Sequence, residues 1–155
     1  MSESVRIVAY QPRHATAWRA LNEAWLADGG YVLEPKDHAV LGNPESAVLA
    51  MGGAIFMAER DGNAVGCCSV MRMPDGSYEV GKMAVTPSAV GLGIGRALLE
   101  ACEAVAVSAG APRLYLETNA AQTHAIALYD RFGFLRMPAQ PTPYARCNVW
   151  MEKPL

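Results

Sequence analysis

A chain of 155 residues, 52% hydrophobic and 18% charged, has the size of one domain with a real core and is too short for two. A formal net charge of -2 offers no basic excess for nucleic acid, so a small-molecule partner is the simpler expectation. The start Met1-Ser2-Glu3-Ser4-Val5-Arg6 has no basic patch followed by an apolar run, and no apolar stretch is long enough to span a bilayer. Neither signal peptide nor membrane helix is indicated, and the expected location is cytoplasmic.

In chain order, residues 5–9 read as a first strand ended by Gln11-Pro12. Trp18, Leu21 and Trp25 then recur at three and four residues, which predicts an amphipathic helix over 15–26. Residues 31–37, Tyr-Val-Leu-Glu-Pro-Lys-Asp, read as an irregular stretch. Asn43-Pro44 is an N-cap followed by proline at the first helical position, and Gly52-Gly53 stops that helix. Residues 54–60 and 64–73 are β-rich and joined by Asp61-Gly62-Asn63, a hairpin signal. Pro74-Asp75-Gly76 turns the second run into a third at 77–85, giving an antiparallel meander.

After Gly95, the residues Leu98, Leu99, Cys102, Val105 and Ala109 form one apolar helical stripe that Gly110 stops. A strand at 113–117, a short helix at 123–132 and a last strand near 149–152 complete the reading. Pro138, Pro141 and Pro143 make the connection before that strand irregular. Cys67, Cys68, Cys102 and Cys147 lack CxxC spacing and read as reduced, mostly buried thiols, with Cys147 a lesser candidate to line a pocket. His14, His38 and His124 lie too far apart to suggest a metal site, and none is expected.

The sharpest signal is Val90-Gly91-Leu92-Gly93-Ile94-Gly95-Arg96, set between a strand and a helix. Glycines at alternate positions bare the backbone amides, and the following helix adds unpaired N-terminal donors and the positive end of its dipole, so a pyrophosphate is the expected ligand. A P-loop would need Gly-Lys-Ser/Thr where Gly95-Arg96-Ala97 stands. A dinucleotide fold, with Glu117 as its ribose ligand, fits poorly, because strands joined by tight turns cannot open a parallel doubly wound sheet.

Together with Met83-Ala84-Val85-Thr86-Pro87, with the strand Leu114 to Asn119, and with Ala125-Ile126-Ala127-Leu128-Tyr129-Asp130-Arg131-Phe132-Gly133-Phe134, this turn resembles the fingerprint of the GNAT family of N-acetyltransferases. The resemblance implies a mixed, mainly antiparallel sheet flanked by helices in a single domain over 1–155. It also implies acetyl-CoA as cofactor, with no metal, and an amine of a small molecule or peptide as acceptor. Its fourth and fifth strands would splay, freeing the backbone of Met83, Ala84 and Val85 for the pantetheine arm. Residues 90–96, that is Val90, Gly91, Leu92, Gly93, Ile94, Gly95 and Arg96, would hold the pyrophosphate. Val90 stands where the family usually has Arg or Gln, which removes a side-chain phosphate contact but leaves the backbone cradle.

By the same resemblance Tyr129 is the acid for the leaving thiolate and Glu79 the base for the amine, with Glu117, Glu34 and His124 as alternatives. A packed core tyrosine and a solvated or ion-paired glutamate are the plain readings of the first two residues. Asn119 would touch the cofactor arm, or else cap the helix that follows it. Tyr31, Glu34, Glu117, Tyr144 and Arg146 come from segments that border the acceptor side, where Glu34 or Arg146 could select the acceptor's charge. No serine or cysteine carries a nucleophile signature, so direct transfer in a ternary complex is expected. The competing readings are a non-catalytic acyl-CoA sensor and an acyltransferase with another acyl donor or acceptor. A homodimer through the C-terminal strands would cover an otherwise open sheet edge.

Overall fold

Asp61 and Gly62 have φ of 53° and 78°, the left-handed pair that a two-residue hairpin turn requires. They join β2 (Ala54–Arg60) to β3 (Asn63–Arg72), and the meander continues into β4 (Tyr78–Val85). The computed structural model describes residues 4–155. Its seven-stranded sheet has the order β1-β2-β3-β4-β5-β7-β6, with β1 at Val5–Ala9, β5 at Arg113–Thr118, β6 at Leu135–Met137 and β7 at Val149–Pro154. Pairing is antiparallel except between β4 and β5, where Tyr78 stands opposite Leu114 and Glu79 opposite Tyr115. Beyond those two pairs β4 and β5 are unpaired, so the sheet opens into a gap along residues 80–85.

Five α-helices cover both faces: α1 (Ala15–Asp28), α2 (Pro35–Gly42), α3 (Pro44–Ala47), α4 (Ile94–Ser108) and α5 (Thr123–Phe132). On one face Trp18 of α1 and Val40 and Leu41 of α2 bury against Ile55, Met57, Cys67 and Ala84. On the other, Leu98, Leu99, Cys102 and Ala106 of α4 and Tyr129 and Phe132 of α5 pack on Val70, Val80, Leu114 and Leu116. Each large apolar side chain buried in this way contributes on the order of 1.5–3 kcal/mol, so both helical layers are held firmly. Cys67, Cys68 and Cys102 are free and buried, and Cys147 is free and half-buried. No helix of the described residues is long and apolar enough to cross a membrane.

The structure departs from the sequence reading in four places. Residues 35–42 are helical where an irregular stretch is expected. Pro35 occupies the first turn, and the carboxylate of Asp37 accepts the Glu34 amide at 2.9 Å in a capping box. The helix expected from Pro44 to Gly52 divides at Val48, whose φ is -119°, into α3 and a 3-10 turn at Leu49–Met51. Ala109 is the exposed C-cap of α4, and Ala106, four residues after Cys102, takes the core position instead. β6 is a three-residue strand too short to show a period.

One irregularity bears on function. Between Cys67 and Ser69 the β3–β4 register shifts, with β4 carrying the extra residue, and Lys82 within this bulge has φ of 53°. A lysine in the left-handed region is uncommon and needs surrounding contacts to hold it there.

Candidate active site

Gly91 and Gly93 have φ of 91° and 77°, and a Cβ built on either would meet nothing within 4 Å. Glycine is therefore present for backbone conformation, as the wound turn before α4 demands. Gly93 is the N-cap of α4, and its carbonyl accepts the Ala97 amide at 3.1 Å. The amides of Gly91, Leu92, Gly93, Ile94, Gly95 and Arg96 donate to no group among the described residues. A row of free donors at a helix N-terminus is a seat for an anion. Ile94 is buried in the core and offers only its backbone. Val90 and Leu92 are exposed, and so is Arg96, which lies 3.8 Å from Glu100 with its guanidinium 5.4 Å from the Phe132 ring centroid.

Gly95 has a different purpose. A Cβ there would stand 2.8 Å from Cδ2 of Leu128, so its absence lets α5 lie close against α4. That contact sets the place of Tyr129, one residue further on. Tyr129 is buried edge-on to Phe134, with ring centroids 5.8 Å apart, and its hydroxyl makes no hydrogen bond among the described residues. Burial pushes its pKa up, so it stays protonated.

Across the β4–β5 gap stands Glu79. It pairs with Met71 on one side and Tyr115 on the other, which puts its side chain on the α1/α2 face, whereas Tyr129 belongs to the α4/α5 core. The gap brings the two to one cavity of about 310 Å³, which Met83, Glu117, Asn119, Tyr31, Tyr144 and Arg146 also line. Glu79 makes no hydrogen bond or ion pair among the described residues. Burial, reinforced by the neighbouring Glu117 carboxylate, pushes its pKa up to about 7.

One wall of the cavity is built around Asp37, whose side chain is fully buried. It accepts Lys82 Nζ at 2.6 Å and both guanidinium nitrogens of Arg146 at 2.7 and 2.8 Å. Burial alone would raise its pKa, but these hydrogen bonds overcome that cost and hold the carboxyl well below the usual range. Lys82 also donates to the Tyr144 hydroxyl at 2.9 Å, and the Lys82 and Arg146 cations lie 4.5 and 4.4 Å from the Tyr144 ring centroid. Sequence reasoning missed Asp37 and Lys82. Only the helix start at Glu34-Pro35-Lys36-Asp37 could have flagged the first, and nothing local flags the second.

Other expected residues are engaged differently. Glu34 does not line the cavity: its carboxylate takes Arg146 at 3.2 Å and the Ala145 amide at 3.0 Å, so it latches the C-terminal loop. Arg146 reaches the cavity, but its charge is answered by Asp37 and Glu34, and neither partner is free to select an acceptor's charge. Asn119 neither caps α5, whose N-cap is Gln122, nor points freely outward. It donates to the Arg146 carbonyl at 2.7 Å and accepts the Ala121 amide at 2.8 Å. Tyr31 stacks on Trp25 and takes a hydrogen bond from Gln122 at 3.3 Å, closing the wall toward α5. Ala84 is buried and Val85 half-buried, so their side chains pack into the cores and do not fill the gap. His124 is exposed and away from the cavity.

The sequence profile of the acetyltransferase (GNAT) family matches residues 14–134. An IAA acetyltransferase of Azospirillum brasilense is 37% identical over 139 residues, covering 88% of this chain and 84% of its own. A GNAT-family acetyltransferase of Staphylococcus aureus superposes with a TM-score of 0.88 at 20% identity, covering 97% of this chain and 99% of the other. PaiA N-acetyltransferase of Thermoplasma acidophilum, solved in complex with coenzyme A, superposes with a TM-score of 0.74 at 15% identity, covering 98% and 99%. The chain belongs to the GNAT family and is an N-acetyltransferase.

Proposed function

We propose that this protein binds acetyl-CoA and acetylates an amino group of a small molecule or peptide directly, within a ternary complex. Acetyl-CoA supplies the activated thioester. The chain's own groups fit it: the free amides of residues 91–96 are donors for its phosphates, and the unpaired β4 edge at Met83, Ala84 and Val85 is a seat for its pantetheine amides. Glu79, with its pKa near neutrality and no partner, takes the acceptor's ammonium proton at a carboxylate oxygen. Tyr129, across the gap, holds a proton at its hydroxyl on the donor side. Cys147 lines the cavity, but burial and then Glu117 push its thiol up, away from the thiolate that an acyl-enzyme would need.

The single observation that carries this reading is the meeting of Glu79 and Tyr129 in one cavity. Titration calorimetry with acetyl-CoA and CoA, followed by thiol release across a panel of amines, tests it. Binding with amine-dependent thiol release supports the transferase. Binding without release from any amine favours a sensor, and acetyl label trapped on the protein would count against direct transfer.

A further inference from the structure

Glu117 is a carboxylate without a cation. The Tyr115 hydroxyl donates to one oxygen at 2.6 Å and the Thr142 hydroxyl to the other at 2.5 Å, while no lysine or arginine reaches either among the described residues. Each oxygen keeps a lone pair for a further donor. Glu79 stands opposite Tyr115, and Glu117 is two residues on along the same strand, so all three share a sheet face and both carboxylates line the cavity.

The charges facing this pair do not neutralise it. From β4 comes Lys82 and from the C-terminal loop Arg146, but Asp37 binds both and Glu34 binds Arg146 as well. The uncharged Tyr115, Tyr144 and Cys147 complete the β5 and loop sides. From α2 there remains Lys36, exposed and without an ion pair among the described residues. Arg72, at the end of β3, also lines the cavity and is likewise exposed and without an ion pair among the described residues. Two carboxylates thus look into the cavity against two cations, Lys36 and Arg72, that are both exposed.

Resting on the transferase reading above, we propose that Glu117 and Glu79 together seat the acceptor's ammonium, so that the enzyme selects amines that arrive as cations over amines that are neutral at the same pH. Glu117 anchors the cation. Glu79 takes one N–H proton, the nitrogen lone pair is freed for attack, and the pair passes from two negative charges facing an ammonium to one facing a neutral amine. The hydroxyls of Tyr115 and Thr142 fix Glu117 from the side away from the acceptor. Alkylamines, including amino groups of aliphatic side chains, are the class that fits.

The test compares benzylamine, a cation at neutral pH, with aniline, a neutral amine of similar size, by thiol release at saturating acetyl-CoA. Intrinsic reactivity cancels when the ratio of their kcat/KM values is compared between variants. Glu117→Gln should lower the benzylamine-to-aniline ratio about 10- to 100-fold, chiefly through KM for benzylamine, as loss of a charged hydrogen-bond partner does. Its acidic limb in kcat/KM should move to lower pH, since Glu79 loses a like-charged neighbour. Glu117→Asp, which retains the charge, should recover part of the ratio. An unchanged ratio, or equal loss for both amines with an unmoved limb, would overturn the inference and leave the transferase standing. A wild type that binds acetyl-CoA yet releases thiol with neither amine would overturn the transferase reading with it.

Discussion

Lys82 Nζ lies 2.6 Å from Oδ1 of Asp37, and this contact joins a bulged strand to the first turn of a helix 45 residues earlier in the chain. Arg146 grips the same carboxylate with both terminal nitrogens, so one buried group ties together α2, the β4 bulge and the C-terminal loop. The left-handed backbone of Lys82 is held by the side chain it carries. Removing the charge from Asp37 leaves Lys82 partly buried without an anion and Arg146 with Glu34 alone. Asp37→Asn should therefore cost about 3–5 kcal/mol, measured by urea unfolding at neutral pH. Because the folded carboxyl titrates below its unfolded value of about 3.9, its contribution is present above that pH and is lost as pH falls further. The Asn variant should lack this acid-sensitive component.

The pH dependence of turnover follows from Glu79. With its carboxyl pushed up to about 7, kcat/KM should rise through that pH as the base ionises. Glu79→Gln should lower kcat/KM by about 10²–10⁴ and remove this limb. Stability should move the opposite way. A carboxyl whose folded pKa lies above its unfolded value of about 4.3 loses stability as pH rises from there through about 7. The Gln variant should melt higher than wild type above neutrality, with the difference closing in acid.

Tyr129→Phe separates chemistry from packing. The hydroxyl has no hydrogen-bond partner among the described residues, so its deletion should leave stability within about 0.5 kcal/mol by thermal unfolding. Acetyl-CoA affinity should also be nearly unchanged by calorimetry, whereas kcat should fall by roughly 100-fold or more, the usual worth of a positioned proton donor. Equal loss of binding and kcat would show the ring to be a packing element only.

Val90 is 66% exposed at the edge of the free-amide turn. Val90→Arg should add a guanidinium within reach of a bound phosphate and tighten acetyl-CoA binding by about 1 kcal/mol, roughly fivefold in Kd. The gain should shrink with added salt, because the site is open to solvent. Calorimetry at low and high ionic strength would check both statements.

The glycine turn and the helix that carries Tyr129 were legible in the sequence because each is local. Gly91 and Gly93 announce a backbone conformation that other residues reach only under strain, and Tyr129 follows at a fixed distance along the next helix. The meander and its hairpin turn were legible for the same reason. The cluster around Asp37 was not. Glu34 and Arg146 meet across 112 residues, and no pattern within either segment signals that they pair with each other and leave an acceptor's charge unread. Asp37 looked like a loop residue, since its helix is short and its burial comes from Lys82 and Arg146, themselves distant in the chain. Ala106 was displaced by Ala109 in the reading because alanine fits either face of a helix end, and only packing against the sheet decides.

Because Tyr129 and Glu79 enter the cavity from opposite faces of the sheet, the donor and acceptor sides proposed above would rest on separate cores. None of residues 31–37 or 142–147 belongs to the α4/α5 core, and Tyr31 meets α5 only through the hydrogen bond it takes from Gln122. A lineage built on this plan can drift in what it acetylates while its source of acetyl groups stays fixed, and an engineer can exchange the two outer segments as a cassette.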